Sequence, residues 1–245
     1  MARRSLIAAL LAALVAGGGL GAAHAESARK TAAKTIRVYF LLHGKVQPVA
    51  RNLPVATNVL AQALQQLSRG PSATERQLGL TTGWRNVPPP GSIASTKGVP
   101  TVTTAALPRP YLAQVVYTLS PFSRTGVVAV NGHRYRRGDF EDLTPAILVE
   151  SPLPFQRVPS PIHASGTANT FEAVFQVELT DPEGKIVVSR TVHATSGTGT
   201  RGTFRFTVPY TVGRSGLGEL VVFERSAKDG SRIHLVEIPV WLTRP

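Results

Sequence analysis

The chain has 245 residues, no cysteine, and 27 Lys plus Arg against 14 Asp plus Glu, a formal charge of +13 with a pI near 11. Without cysteine, a disulfide scaffold, a thiolate metal site, a thiol nucleophile and a lipid-modified N-terminal cysteine are all excluded. Hydrophobic residues at 42% exclude disorder from want of a core.

Residues 1–25 read as a signal peptide. Arg3 and Arg4 form a positive start, Ser5 to Val15 is almost wholly apolar, and Ala23-His24-Ala25 is an A-x-A pattern that sets cleavage between Ala25 and Glu26. The apolar run is short and rich in Gly and Ala for a stable membrane span. An extracytoplasmic protein beginning at Glu26 is expected; retention of the segment as an anchor, and twin-arginine export through Arg3-Arg4, remain open. Residues 26–145 hold 15 Lys/Arg against 5 Asp/Glu, net +10, whereas 146–245 hold 10 against 9, net +1. That asymmetry points to two modules with different surfaces. Outside the cell a basic surface meets anionic wall polymer, lipid headgroups or envelope protein. The alternative is a solvated surface in an arginine-rich composition, 21 Arg to 6 Lys. The export signal and the lack of a recognition motif argue against nucleic acid as the partner.

The first half alternates strand and helix signals. Thr35 to Leu42 is β-branched and aromatic, a strand ended by His43-Gly44. Val55 to Leu67 has helical spacing, with Val59, Leu60, Ala63, Leu64 and Leu67 on one face, and Gly70-Pro71 stops it. Ser72-Ala73-Thr74-Glu75 is a capping box for a second, short helix. An irregular, Pro-rich crossing over 83–100 follows. A third helix starts at Pro110, with Leu112, Val115, Val116 and Leu119 on its apolar side, and Pro121 ends it. Asn131-Gly132 between Val127–Val130 and His133–Tyr135 is a hairpin signal. The expectation is an α+β domain over 35–142, its helices packed on one face of a small sheet.

Beyond about Pro145 the period changes to two. Phe171, Ala173, Phe175, Val177 and Leu179 alternate with Glu172, Gln176 and Glu178, and Phe204, Phe206 and Val208 with Arg205 and Thr207. Asp181-Pro182-Glu183-Gly184 and Lys228-Asp229-Gly230-Ser231 are turn clusters. Short strands are expected at 146–150, 160–166, 171–180, 185–193, 203–209, 217–225 and 233–242. That count suits an all-β immunoglobulin-like sandwich domain over 146–245.

Val38-Tyr39-Phe40, Leu67-Ser68-Arg69-Gly70-Pro71 and Leu112-Ala113-Gln114-Val115-Val116-Tyr117-Thr118-Leu119 resemble a GerMN domain, named for bacterial sporulation and germination lipoproteins, over about residues 35–140. Val149-Glu150-Ser151-Pro152, Ser160-Pro161, Gly166-Thr167-Ala168, Asp181-Pro182-Glu183-Gly184 and Ile238-Pro239-Val240 resemble the immunoglobulin-like domain of bacterial spore germination proteins, over about 146–242. The paired resemblance implies a non-enzymatic protein of the envelope or spore wall, sporulation- or germination-related, that binds wall polymer or protein partners.

No catalytic constellation stands out in the sequence. Gly197-Thr198-Gly199-Thr200-Arg201-Gly202 fits G-x-G-x-x-G, but a strand follows where a dinucleotide site needs a helix, so it reads as a flexible hairpin loop. His43, His133, His163, His193 and His234 have no metal-ligand spacing. Asp139, Glu141 and Asp142 could act as acid and base or hold calcium, yet read as a solvated linker. G-x-S-x-G does not occur. No cofactor, metal or catalytic residue is therefore expected; the rival class is a wall-remodelling hydrolase or its accessory factor. Arg134, Arg136 and Arg137 form the densest positive cluster and are the candidate ligand-binding residues. Charge protection of an edge strand is the other account of them. The pattern leaves homo-oligomerisation open.

Overall fold

In the computed structural model, which describes residues 33–54, 58–82 and 92–244, the first expected strand is β1 (Ala33–Leu42). It does not simply end at His43-Gly44. Both residues take positive φ, 50° and 76°, and turn the chain back into β2 (Lys45–Pro54). Pro48 and Pro54 mask this second strand in the sequence; Pro48 stands opposite Tyr39, whose N–H faces away from β2. The Ala25/Glu26 cleavage position lies outside the described residues.

Two helices follow. α1 (Val59–Arg69) is capped by Asn58, whose Oδ1 accepts from the Ala61 N–H at 3.0 Å, and Gly70 at φ 76° closes it. α2 (Ala73–Gln77) carries the expected capping box: Glu75 N–H donates to Ser72 Oγ at 3.2 Å, and Ser72 N–H to Glu75 Oε2 at 2.7 Å. Glu75 also accepts both guanidinium nitrogens of Arg51, each at 2.6 Å, which ties α2 to β2. In place of an irregular crossing, the described part of 83–100 begins a hairpin, β3 (Ser92–Thr96) and β4 (Val99–Thr103).

β4 runs parallel to β5 (Val128–Val130), and parallel neighbours need a crossover. α3 (Arg109–Leu119) supplies it, and β6 (His133–Tyr135) follows through the Asn131-Gly132 turn, φ 50° and 82°. The expected single small sheet is therefore two: β1-β2, and β3-β4-β5-β6. α3 is buried from Ala113 to Leu119 on every side, not along one face. Its two buried polar side chains serve the free edge of β1: Tyr39 N–H donates to Thr118 Oγ1 at 3.1 Å, and Gln114 Nε2 donates to Tyr39 O at 3.0 Å.

From residue 147 onward the described chain holds strands and no α-helix. These are β7 (Ile147–Ser151), β8 (Arg157–Val158), β9 (Ile162–Ala168), β10 (Val174–Thr180), β11 (Ile186–His193), β12 (Gly202–Val208), β13 (Gly216–Arg225) and β14 (Arg232–Leu242). Each expected run has its strand. The sheets order as β11-β10-β13-β14-β8 and β12-β9-β7, enclosing one apolar cluster between them. Two details differ from the sequence pattern. Residues 171–173 form a tight turn with Glu172 and Ala173 at positive φ, so Phe171 is swung out, 56% exposed, and the alternation begins only at Phe175. Gly166, between β7 and Phe204, has no room for a side chain, because a Cβ there would lie 2.0 Å from the Leu148 carbonyl oxygen.

The described residues form one compact unit with two cores. They meet at β7. Ile147 and Val149 belong to the sandwich core, whereas Leu148, 1% exposed, belongs to the core of the first half. Alternation along a strand makes this possible, since successive side chains leave on opposite faces.

Leu148→Ala is accordingly expected to destabilise the whole molecule by about 3 kcal/mol, the usual cost of deleting a buried leucine side chain. A thermal melt followed by both far-UV circular dichroism and tyrosine fluorescence should show one shifted transition. A single shifted component beside an unshifted one would mean that the cores melt separately.

Candidate functional site

The structure separates the Arg134, Arg136 and Arg137 cluster. Arg134 lies on β6, the outer strand of its sheet, and is exposed; Arg136 is exposed just beyond it. Arg137 is different. A 3-10 segment begins at this residue (Arg137–Leu143), Asp139 Oδ2 accepts the Arg136 N–H at 2.8 Å, and the chain reverses. The Arg137 guanidinium is thereby directed inward, onto the rings of Tyr117 and Tyr39 at 4.8 and 5.3 Å. It donates to Glu150 Oε1 at 2.7 Å, Ser120 Oγ at 2.7 Å, Tyr117 O at 3.2 Å and Tyr39 Oη at 3.2 Å. Tyr39 in turn donates to Glu150 Oε1. Arg137 is thus a junction residue, largely buried, whereas Arg134 and Arg136 stay exposed.

Electrostatics at this junction follow from burial and pairing. Burial of the Glu150 carboxyl opposes ionisation, but Arg137, the Tyr39 hydroxyl and Arg37 outweigh it and hold the carboxyl below its ordinary range. Burial pushes the Tyr39 hydroxyl well above the usual tyrosine range, with Arg137 acting against it and Glu150 with it. Neither Tyr39 nor Glu150 stands out in the sequence. Glu150 follows Ile147-Leu148-Val149 at a spacing that suits a solvent-facing end, and its partners are 13 and 111 residues away.

The acids around residue 140 are likewise engaged, with Asp139 and Asp142 still exposed to solvent. Asp142 pairs with Arg109 at 2.6 Å, and Glu141 with Arg201 of the sandwich at 2.8 Å and with Asn169 at 3.0 Å, while Phe140 is fully buried. With Glu75 on Arg51 and Asp139 on the Arg136 N–H, every described acid of residues 26–145 has a partner inside the molecule. The excess positive charge is left outside.

Part of that excess gathers on one face of β3-β4-β5-β6. Arg134 stands opposite Ala129, which packs with Val99 and Val127 in a small apolar cluster on the same face. Arg124 lays its stem over Gly98, whose missing Cβ would sit 3.0 Å from Arg124 Cδ, next to Lys97 in the β3–β4 turn. Arg136 Nη1 reaches the Thr125 carbonyl at 3.2 Å. None of Lys97, Arg124, Arg134 and Arg136 forms an ion pair among the described residues. Lys97 is distant in sequence from the cluster and the parallel β4–β5 pairing brings it there, whereas the β5–β6 hairpin brings Arg124 beside Arg136.

Other sequence candidates fall apart. The G-x-G-x-x-G segment is the passage from β11 in one sheet to β12 in the other, not a hairpin, and it is packed rather than loose: a Cβ on Gly197 or Gly202 would lie 2.4 or 2.3 Å from main-chain atoms. The five histidines are scattered; His163 Nδ1 meets Thr207 Oγ1 at 2.9 Å and His234 is 3.7 Å from Glu224. Among the described residues no group of three His, Cys, Asp or Glu is placed to hold a metal. An unneutralised acid pair lies on β13 and β14. Burial first, and the neighbouring Glu237 second, push the Glu219 carboxyl from the usual 4.5 up to about 7.

Residues 146–231 match the family model of the immunoglobulin-like domain of bacterial spore germination, which relates the chain to spore germination proteins. No curated protein matches it.

Two outcomes are expected. Glu150→Gln leaves Arg137 without its counter-charge and should cost roughly 2–3 kcal/mol, less than a fully buried pair because 27% of the Arg137 side chain is exposed. The Glu150 carboxyl is held below 4.5 in the folded state, so its contribution is complete above that pH and is lost as pH falls through the folded value. Urea titrations of both proteins should therefore converge in acid. Glu219→Gln has the opposite signature. A folded value raised to about 7 means that ionisation weighs against the wild type increasingly between 4.5 and 7 and fully above. The variant should melt a few degrees higher at pH 8, and level with the wild type at pH 4.

Proposed function

We propose that this chain is a non-catalytic, extracytoplasmic binding protein of the envelope or spore wall, an α+β domain of GerMN type followed by the immunoglobulin-like sandwich. Its partner is an anionic polymer such as a wall polymer, held by the basic face of Lys97, Arg124, Arg134 and Arg136. The observation that carries this reading is that, among the described residues, those four cations form no ion pair, while Glu75, Glu141 and Asp142 of the same half pair with other arginines. Fixed like charges left unneutralised on one face concentrate polyanions. Guanidinium forks suit phosphate and carboxylate oxygens. The A-x-A pattern at Ala25 supports export, and the family match over 146–231 supports the germination context.

The test is co-sedimentation of the chain from Glu26 onward with isolated bacterial cell wall. Binding should weaken steeply as salt rises and the screening length shrinks from about 10 Å at 0.1 M to about 3 Å at 1 M. Replacing Arg124, Arg134 and Arg136 together by Gln should lower retention roughly tenfold at low salt. The melting temperature should barely move, since exposed charges add about 0–1 kcal/mol per pair. Undiminished retention by the triple variant would return Arg134 and Arg136 to edge protection. Release of soluble wall fragments would make the protein a hydrolase.

A further inference from the structure

A half-open groove of about 360 Å³, within the range of small-ligand pockets, lies where β1 passes the 3-10 turn Ser120–Phe122. Lys34, Thr35 and Arg37 form one wall, Phe122 another, and Ser151 and Leu153 of the second half close it. The β1 wall is an open sheet edge. Tyr39 and Leu41 turn their main-chain groups away from β2: Tyr39 N–H meets Thr118, and Leu41 exchanges bonds with Thr81 at 3.0 and 2.8 Å. By the two-residue period, Thr35 and Arg37 present their N–H and C=O groups on that same side, where no main-chain partner meets them among the described residues.

Two cations border this edge. Lys34 has Nζ 5.9 Å from the Phe122 ring centroid, and Arg37 donates to the Glu150 carbonyl oxygen at 3.4 Å while its charge also acts on the Glu150 carboxylate. Neither has an ion-paired acid among the described residues, because the Glu150 carboxylate is committed to Arg137 and Tyr39. Phe122 and Leu153 add apolar wall.

We propose that the groove binds the extended C-terminal segment of a partner protein, added as an antiparallel third strand to β1-β2. An unpaired edge offers donors and acceptors in alternation, which a peptide backbone matches and a polyanion does not. The direction follows from the cation Lys34 at the open end of the edge, opposite the end that is closed. Thr118 and Gln114 fill it at Tyr39, so an antiparallel peptide starts at that stop and its terminal carboxylate emerges beside Lys34. This surface is separate from the basic face of β3-β4-β5-β6.

The probe is a fluorescein-labelled peptide Gly-Val-Thr-Val-Val with a free C-terminal carboxylate, titrated against the chain from Glu26 onward by fluorescence anisotropy. Its C-terminal amide should bind roughly tenfold more weakly, as should the free acid to Lys34→Gln, each removing one charge-assisted contact. A peptide N-methylated at its central residues should not bind. Thr35→Pro deletes one N–H that makes no bond within the protein, and proline is tolerated at such an edge; it should abolish binding with little change in melting temperature. If Thr35→Pro does not fold, Lys34→Gln and the two modified peptides carry the test. No binding of the free acid, or equal binding of acid, amide and N-methylated peptides, would overturn the proposal. So would a dimer in sedimentation velocity that Thr35→Pro disrupts, since a second copy would then be the occupant.

Discussion

A strand has two faces, and β7 must fill both of them with protein. Ile147 and Val149 enter the sandwich while Leu148 enters the first core, and Glu150 ends the same face against Arg137. A slip of one residue would exchange the two sets and bring Glu150 into an apolar cluster. The ion pair makes that slip costly as well as ill-packed, because an unpartnered buried charge is among the most destabilising defects a fold can carry. Tyr39 from β1 and Arg137 from the 3-10 segment both bond Glu150, and Tyr117 from α3 lies against the Arg137 guanidinium. The register of a single strand therefore coordinates elements more than 100 residues apart in sequence.

The sandwich was legible because its alternation is carried by residues that local geometry alone can place. Phe204, Phe206 and Val208 face inward in the expected phase, and Asp181 closes its turn by accepting from Glu183 and Lys185 at 3.0 and 2.8 Å. The capping box of Ser72 and Glu75 and the Asn131-Gly132 turn were equally local. What failed to show involved the environment. β2 carries two prolines, and Pro48 is tolerated because Tyr39 opposite it turns its carbonyl to Gln114, so no acceptor of β1 needs the missing N–H. α3 reads as half polar because Gln114 and Thr118 look solvent-facing until the edge of β1 is placed beside them. Phe171 reads as core because the backbone reversal at Glu172 and Ala173 leaves no mark on the hydrophobic pattern.

The candidate surface was visible in part for the same reason. Arg134 and Arg136 are adjacent in sequence and stay outside, but nothing local distinguishes them from Arg137, which a 3-10 reversal carries inward. Charge arithmetic identified the basic half; the structure adds that its described acids are committed to internal partners. Each internal pair takes up one positive charge with each negative one, so pairing leaves the net charge of +10 over residues 26–145 in place.

The groove also brings together the first and last strands of the described fold. Lys34 opens β1, and Gln156, which lines the same groove, accepts the Trp241 N–H of β14 at 2.9 Å. A pull applied to both strands would therefore pass through one corner of the molecule. Stretching would load the β8–β14 contact and the start of β1 first, and the shared strand last.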